Sequence, residues 1–190
     1  MARILLLHSI YGLRPAVHGA ADRFRAAGHD VHVPDLFDGR VAETVEEGGE
    51  IRAEIGRDEL LRRAIAAAAP LTEPGGLVYA GFSLGAAVAQ NLAFADERAG
   101  GLLLMHGTSD LPADASTEMP VQLHVADPDT FEPVDWLNAW YLRMRKAGAD
   151  VEVFRYRGAG HLFTDPDLPD HDSEAAERAW AIALDFVASL

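Results

Sequence analysis

Apolar residues follow two alternating patterns along the chain. Continuous apolar runs at residues 4–7, 77–80 and 101–105 are typical of strands that are buried on both faces of a parallel sheet. Between such runs, apolar residues recur every three or four positions, which predicts amphipathic helices. Six strands that alternate with helices predict an α/β fold, a doubly wound and mostly parallel sheet with helices on both faces.

The other three predicted strands lie near residues 31–33, 121–125 and 151–157, and the last one alternates like a half-exposed edge strand. The predicted helices begin at or near Pro15, Asp58 (as the N-cap), Leu84, Pro133 and Ser173. In the fourth helix the spacing predicts an inner face of Val134, Leu137, Tyr141 and Met144. Residues 38–56 show no clear period and are interpreted as a loop or a short helix. No repeat or linker interrupts the chain, so we expect one domain over residues 1–190.

The composition is typical of a globular protein. The chain has 190 residues, enough for a sizeable core, of which 49% are hydrophobic and 24% charged. It has no cysteine, which excludes disulfides, thiolate metal sites and a cysteine nucleophile. Acidic residues outnumber basic ones by 30 to 16, and the net charge of −14 disfavours nucleic acid and anionic membranes as partners.

The first apolar run, at residues 4–7, is too short for a signal peptide and ends at His8. No other run approaches the length of a membrane span. We therefore expect a cytoplasmic protein.

A G-x-S-x-G motif at residues 81–85 lies between a predicted strand and a predicted helix. In this context the serine occupies a tight strand-to-helix turn, and glycines two positions away on each side relieve the crowding. The turn pushes the Ser83 hydroxyl clear of the sheet. It also leaves the Leu84 N–H at a helix N-terminus, where it can donate to a developing oxyanion.

An acid and a histidine follow later strands of the same sheet. In a parallel sheet the loops after the strands share one edge, so Ser83, Asp129 and His161 are expected to meet there. Their order, serine, acid and histidine, is that of an α/β-hydrolase. Histidine can take the serine proton and return it to the leaving group, while a carboxylate orients the ring. Asp127 is an alternative acid, because it follows the same strand.

Four further residues complete the predicted site. Ile10, in the loop after the first strand, is the candidate for the second oxyanion N–H, and Tyr11 for a pocket wall; ordinary packing is the alternative for both. His106 ends a strand on the same edge and is predicted to line the substrate pocket. His8 is interpreted as shaping the loop near Ser9.

Two histidines and two motifs have simpler interpretations. His124 alternates within a strand and is interpreted as a core residue, while His171 lies among acids and is interpreted as a surface residue. The acidic segment at 165–172 matches no calcium loop, and the glycines of the serine motif lack the G-x-G-x-x-G spacing of a dinucleotide site. We therefore expect no metal and no cofactor.

Five segments together resemble the dienelactone hydrolase family of α/β-hydrolases along nearly the whole chain: residues 4–13, 27–37, 79–85, 120–129 and 156–161. The Pro-Asp-Leu-Phe sequence at 34–37 and the Ala-Gly-His sequence at 159–161 are more specific than the serine motif alone. By this resemblance Ser83, Asp129 and His161 match the catalytic triad. Ile10 and Leu84 match the backbone of the oxyanion hole.

The chain departs from this family at three positions. Enzymes that open dienelactones typically carry a cysteine nucleophile and a glutamate in the first loop, where this chain has Ser83 and Ser9. The family's arginine just past the histidine, which meets the substrate carboxylate, is Asp165 here. The resemblance therefore implies the fold and the hydrolase class, but not the dienelactone substrate. The leading hairpin of larger relatives is absent, so the strand near Val31 is expected at an exposed edge, a possible homodimer contact.

These observations predict a serine hydrolase that cleaves small carboxylic esters or lactones through an acyl-enzyme. The loop at 107–120 is too short for a lid domain, which favours a small substrate. A carboxylesterase or thioesterase with another substrate class is one alternative. A ligand-binding protein on a hydrolase scaffold is the other.

Overall fold

The computed structural model describes residues 1–73 and 75–190, and a six-stranded sheet forms its centre. The strands are β1 (Arg3–Leu7), β2 (Asp30–His32), β3 (Leu77–Phe82), β4 (Gly101–Met105), β5 (Pro120–Asp127) and β6 (Asp150–Arg157). They lie in the order β2-β1-β3-β4-β5-β6, and every neighbouring pair is parallel. This arrangement confirms the predicted sheet, and it brings the loops after the strands to one edge.

Helices cover both faces of the sheet. They are α1 (Pro15–Ala26), α2 (Val45–Ile55), α3 (Arg57–Ala68), α4 (Leu84–Ala95), α5 (Val134–Lys146) and α6 (Ser173–Ser189). Successive residues of a strand point to opposite faces of the sheet, so their side chains pack into two separate hydrophobic cores, one on each face. In β1, Ile4 and Leu6 pack with α1 and α6, whereas Leu5 and Leu7 pack with the other four helices. No helix in the described ranges combines the length and the apolarity needed to cross a bilayer.

The poorly patterned segment at 38–56 contains α2, a helix of eleven residues. Thr44 caps its N-terminus and accepts a hydrogen bond from the Glu47 N–H at 3.1 Å. Only Gly48 and Ile51 of this helix are buried, so the apolar stripe that would reveal it in the sequence is almost absent. The helix packs against the loop after β1, where a Cβ at position 48 would clash with the Ile10 carbonyl oxygen.

Two helix predictions need correction. The N-cap of α3 is Gly56 rather than Asp58, which lies in the first turn. In α5, Val134 and Tyr141 are 56% and 39% exposed, although the spacing predicts them on the inner face. The buried face of α5 runs through Trp140 instead, because its indole reaches the side-chain amide oxygen of Gln90 at 3.0 Å and fills the core.

The two edges of the sheet agree with the sequence. β2 pairs only with β1 in the described part of the chain, and its outer residues Asp30 and His32 are exposed. β6 forms the opposite edge. The connection from β4 to β5 contains no helix or strand among the described residues, and no lid domain covers the site there.

Candidate active site

Ser83 occupies a strained turn between β3 and α4. Its backbone angles, φ 49° and ψ −108°, lie in a region that residues with a side chain rarely adopt. A Cβ at Gly81 would clash with the Gly85 carbonyl, and one at Gly85 would clash with the Leu7 and His8 carbonyls. Glycine at both positions therefore lets the turn close tightly against β1, with the serine at its tip.

Ser83, His161 and Asp129 form a continuous chain of hydrogen bonds. The Ser83 hydroxyl lies 2.9 Å from Nε2 of His161, and Nδ1 of His161 lies 2.8 Å from a carboxylate oxygen of Asp129. Because a carboxylate can only accept, Nδ1 carries the proton, and Nε2 is free to accept from the serine. The Asp129 side chain is fully buried, whereas that of His161 is 10% exposed. Asp127, the alternative acid, makes no hydrogen bond or ion pair with His161 in the described part of the chain.

The loop after β5 holds Asp129 through its backbone. The other carboxylate oxygen accepts hydrogen bonds from the N–H groups of Phe131 and Glu132, at 2.9 and 3.3 Å. These bonds compensate for burying the charge. The Phe131 ring, 57% exposed, lies 4.5 Å from the His161 ring and covers part of the imidazole. The sequence analysis missed Phe131, since an isolated aromatic in a loop carries no pattern.

A second buried carboxylate, Glu132, lies beside Asp129. It accepts hydrogen bonds from the N–H and the hydroxyl of Thr108, at 3.0 and 2.6 Å. The Trp136 indole donates to the same Thr108 hydroxyl at 2.7 Å. Burial raises the pKa of Glu132, and the nearby Asp129 charge adds to this shift. This cluster joins the loops after β4 and β5, and no sequence motif indicated it.

Two backbone N–H groups are available near Ser83. Leu84 is the first residue of α4, so no carbonyl of its own helix can accept from its N–H. In the described part of the chain, the N–H of Ile10 makes no hydrogen bond, while Ser9 accepts from the N–H groups of Tyr11 and Gly12. Because β1 and β3 are neighbours, the loops that carry Ile10 and Leu84 are adjacent.

Tyr11 is 9% exposed, and the Arg14 guanidinium lies 5.2 Å from the centre of its ring. Burial raises the pKa of Tyr11. Tyr11 therefore offers little surface to a ligand, although its loop borders the site.

His106 does not line the pocket, contrary to the prediction. It has no exposed surface, its backbone φ is 67°, and Nε2 of its buried ring lies 2.6 Å from the Thr164 hydroxyl. The ring packs edge-on against Phe163, and its centre lies 6.3 Å from that of His161. Burial lowers the pKa of His106 well below its usual value, so this histidine is neutral.

The structure agrees with the interpretations of His8 and His124. His8 is buried, donates from Nδ1 to the Ser9 carbonyl at 2.8 Å and accepts from the Leu36 N–H at 3.0 Å, which fixes the loop near Ser9. His124 is buried in β5, and burial lowers its pKa to about 3. It accepts from the Tyr156 hydroxyl at 2.7 Å and donates to the side-chain oxygen of Gln122 at 2.8 Å.

The acidic segment at 165–172 remains a surface feature. His171 within it is exposed, as predicted. Across residues 1–73 and 75–190, no group of three or more histidine, aspartate or glutamate side chains is arranged to hold a metal ion.

The parallel sheet, with a serine at the turn after β3 and an acid and a histidine after β5 and β6, defines the protein as an α/β-hydrolase. Residues 2–190 match the dienelactone hydrolase family. The chain therefore belongs to that family, and it is a hydrolase that acts on ester bonds. No curated protein sequence matches it significantly.

Solved structures of similar fold cover nearly the whole chain. A dienelactone hydrolase-like promiscuous phosphotriesterase from metagenomic libraries is 20% identical, with a TM-score of 0.83, over 100% of this chain and 87% of its own. The dienelactone hydrolase of Anabaena variabilis is 20% identical, with a TM-score of 0.73, over 100% and 86%. A thermophilic esterase from Thermogutta terrifontis is 16% identical, with a TM-score of 0.76, over 99% and 83%. At these identities the likenesses concern the fold.

Proposed function

We propose that the protein is a cofactor-independent serine hydrolase of small carboxylic esters or lactones, with Ser83 as its nucleophile. The observation that supports this most is the hydrogen-bond chain from Asp129 through His161 to Ser83, with both links under 3 Å. A serine hydroxyl is a poor nucleophile near neutral pH unless a base takes its proton during attack. His161 lies at the distance and in the tautomer that such a transfer requires.

In the proposed reaction, the Ser83 hydroxyl oxygen attacks the ester carbonyl carbon while Nε2 of His161 takes the hydroxyl proton. The carbonyl oxygen becomes an oxyanion, which accepts from the N–H groups of Leu84 and Ile10. His161 then returns the proton to the leaving alkoxide, and the C–O bond breaks to give an acyl-enzyme. Water, deprotonated by the same histidine, hydrolyses the acyl-enzyme and regenerates Ser83.

The surroundings of His161 suit this cycle. Asp129 is fully buried and held by two backbone N–H groups, so it can stabilise the imidazolium that forms at 161. His106, the histidine behind it, stays neutral because burial disfavours its charged form. His106 therefore adds no positive charge that would oppose protonation of His161.

A serine-directed probe tests the assignment. A fluorophosphonate should label the wild type and the Ser116→Ala control, in which an exposed loop serine is removed, but not Ser83→Ala. Hydrolysis of p-nitrophenyl acetate should fall by roughly 10³-fold or more in Ser83→Ala. Labelling that survives this substitution would falsify the role of Ser83. Saturable binding of esters without turnover in the wild type would instead support the ligand-binding alternative.

A further inference from the structure

A groove of about 470 Å³ runs along α4, and of the residues that line it only Leu84, through its N–H, belongs to the mechanism above. Its floor is apolar and is formed by two helices. The residues of the floor are Leu84, Ala87 and Val88 from α4 and Leu60 and Leu61 from α3. Such a floor can take a hydrocarbon chain.

The groove includes the residue that follows the nucleophile in the chain. Leu84 directly follows Ser83, and Leu84, Val88 and Asn91 share one face of α4 because they are spaced by about one helical turn. With a rise of about 1.5 Å per residue, this face extends for roughly 10 Å from the serine end. An open chain of about six to eight carbons, with bonds of about 1.5 Å, spans that distance. A substrate whose carbonyl lies at Ser83 can therefore place one arm along the groove.

Two arginines line the same groove, and both are unpaired. Arg52 lies in the last turn of α2 and Arg57 is the first residue of α3; both are exposed. Neither side chain makes a hydrogen bond or an ion pair in the described part of the chain. Asp110 also lines the groove, but the Arg143 guanidinium and the Leu111 N–H both bind its carboxylate. On a protein with a net charge of −14, this groove is locally cationic.

Packing connects one of these arginines to the candidate oxyanion hole. Arg52 lies four residues after Gly48, so both occupy one face of α2. Gly48 is the residue that packs on the backbone of Ile10. Helix α2 therefore both packs against the Ile10 loop and places Arg52 at the groove.

The opposite side of the active site is negatively charged and would repel an anionic substrate group. The loop after His161 carries Asp165 and Asp167, and Arg14 is the cation near both, at 3.9 and 3.8 Å. One arginine shared between two carboxylates leaves that side with a net negative charge. Of these two sides, the α4 side is therefore the one that favours an anionic group.

We propose that this groove binds an open-chain substrate arm that ends in a carboxylate, with Arg52 and Arg57 as the residues that select it. The substrate class is then a dicarboxylic hemiester or a related ester, in which about four to six methylenes separate the scissile carbonyl from the anionic end. This assignment rests on the proposed role of Ser83. It concerns which substrate the site prefers, and the arginines do not take part in the bond-breaking step.

The test compares matched esters. For the wild type, kcat/KM should be higher for p-nitrophenyl hydrogen adipate than for p-nitrophenyl hexanoate, and likewise for the suberate and octanoate pair. In Arg52→Gln/Arg57→Gln this preference should fall by about fivefold to tenfold, since each exposed charge pair contributes modestly. The readout is the ratio of the two esters within each variant, so a change that is common to both esters cancels. About 0.5 M salt should weaken the wild-type preference, because it screens exposed charges.

The control is Lys146→Gln/Arg155→Gln, which removes the same two charges from exposed positions outside the groove. It should keep the wild-type preference. A preference that survives in Arg52→Gln/Arg57→Gln, or that the control loses equally, overturns the groove assignment while leaving the hydrolase intact.

A binding measurement separates this proposal from the proposed function. Monomethyl adipate is titrated into Ser83→Ala and into the triple variant Ser83→Ala/Arg52→Gln/Arg57→Gln, with NMR or calorimetry as the readout. Tighter binding to Ser83→Ala supports the groove, even if the wild type hydrolyses no ester and the proposed function is wrong. Equal or absent binding in both variants overturns the groove, whatever the hydrolysis assays give.

Discussion

Two walls border the active site, and they are built differently. The loops after β3, β5 and β6 form the first wall, and α2 with the start of α3 forms the second. Side-chain hydrogen bonds hold the first wall, which carries Ser83, Asp129 and His161. The second wall is held by packing, with Ile51 in the core and Gly48 against the β1 loop. The exposed cations of this second wall have no partners in the described part of the chain. Fixed polar geometry suits bond breaking, whereas free charges at a groove suit recognition.

The largest expected effect comes from breaking the hydrogen-bonded wall at its acid. Asp129→Asn should lower kcat for p-nitrophenyl acetate by roughly 10³- to 10⁴-fold, because an amide can favour the wrong tautomer of His161. Asp127→Asn, two residues away in the same loop region, should change kcat by less than about threefold. Steady-state kinetics at pH 7.5 measures both. If Asp127→Asn proves the more damaging variant, the hydrogen-bond chain assigned here is wrong.

This wall could be predicted from the sequence because its chemistry is tied to local patterns. The serine sits in a motif, and the acid and the histidine each follow a strand that the sequence pattern predicts, near residues 121–125 and 151–157. In a parallel sheet, such positions meet at one edge whatever the packing details. The exception is His106, which follows the same rule of position. Its backbone has a positive φ, which is invisible in the sequence, and its ring is buried in the core.

The α2 wall could not be predicted, for a physical reason. Helix α2 buries only two residues, so it lacks the apolar stripe from which a helix is inferred. Its key contact is made by Gly48, and a glycine that matters for its missing Cβ leaves no signal without the fold. Arg52 and Arg57 look like ordinary surface charges until the groove beside Ser83 is known. The same limit applies to Val134 and Tyr141 in α5, which the spacing predicts on the inner face although both are exposed.

The next largest effect concerns the strand beneath the hydrogen-bonded wall. His124 lies in β5, which leads to Asp129, and burial lowers its pKa to about 3 in the folded state. In the unfolded chain it titrates near 6.5, so only the unfolded state takes up its proton between pH 6.5 and 3. Stability is therefore lost as the pH falls through that window. From pH 7 to pH 5, His124 should account for about 2 kcal/mol of this loss.

Urea unfolding of wild type, His124→Asn and His32→Asn at pH 7 and pH 5 measures that share. His32 is exposed on the edge strand β2 and serves as the matched control. Because the readout is the difference between two pH values, a constant loss from the missing hydrogen bonds of His124 cancels. The free energy of unfolding could fall between pH 7 and pH 5 by the same amount in His124→Asn as in His32→Asn. That result would show that His124 is not held neutral in the fold.

The smallest expected effect concerns the α2 wall. It tests whether α2 positions the oxyanion hole or only lies beside the active site. Gly48→Ala and Gly49→Ala introduce the same methyl group at neighbouring positions of one helix. A Cβ at 49 meets nothing within 4 Å, so this variant should gain about 0.5 to 1 kcal/mol in unfolding free energy from the helix preference of alanine. A Cβ at 48 would clash with the Ile10 carbonyl, so Gly48→Ala should instead lose about 1 to 2 kcal/mol.

The two variants should also separate in activity. A shift of the Ile10 backbone moves one of the two N–H groups proposed to hold the oxyanion, and kcat/KM for p-nitrophenyl acetate should fall by about tenfold in Gly48→Ala, less than full loss of a donor would cause. Gly49→Ala should keep the wild-type value. Lower stability with unchanged kcat/KM would mean that α2 packs on the loop without positioning the Ile10 N–H. The two walls would then be independent, because recognition by the arginines needs the groove but not the oxyanion hole.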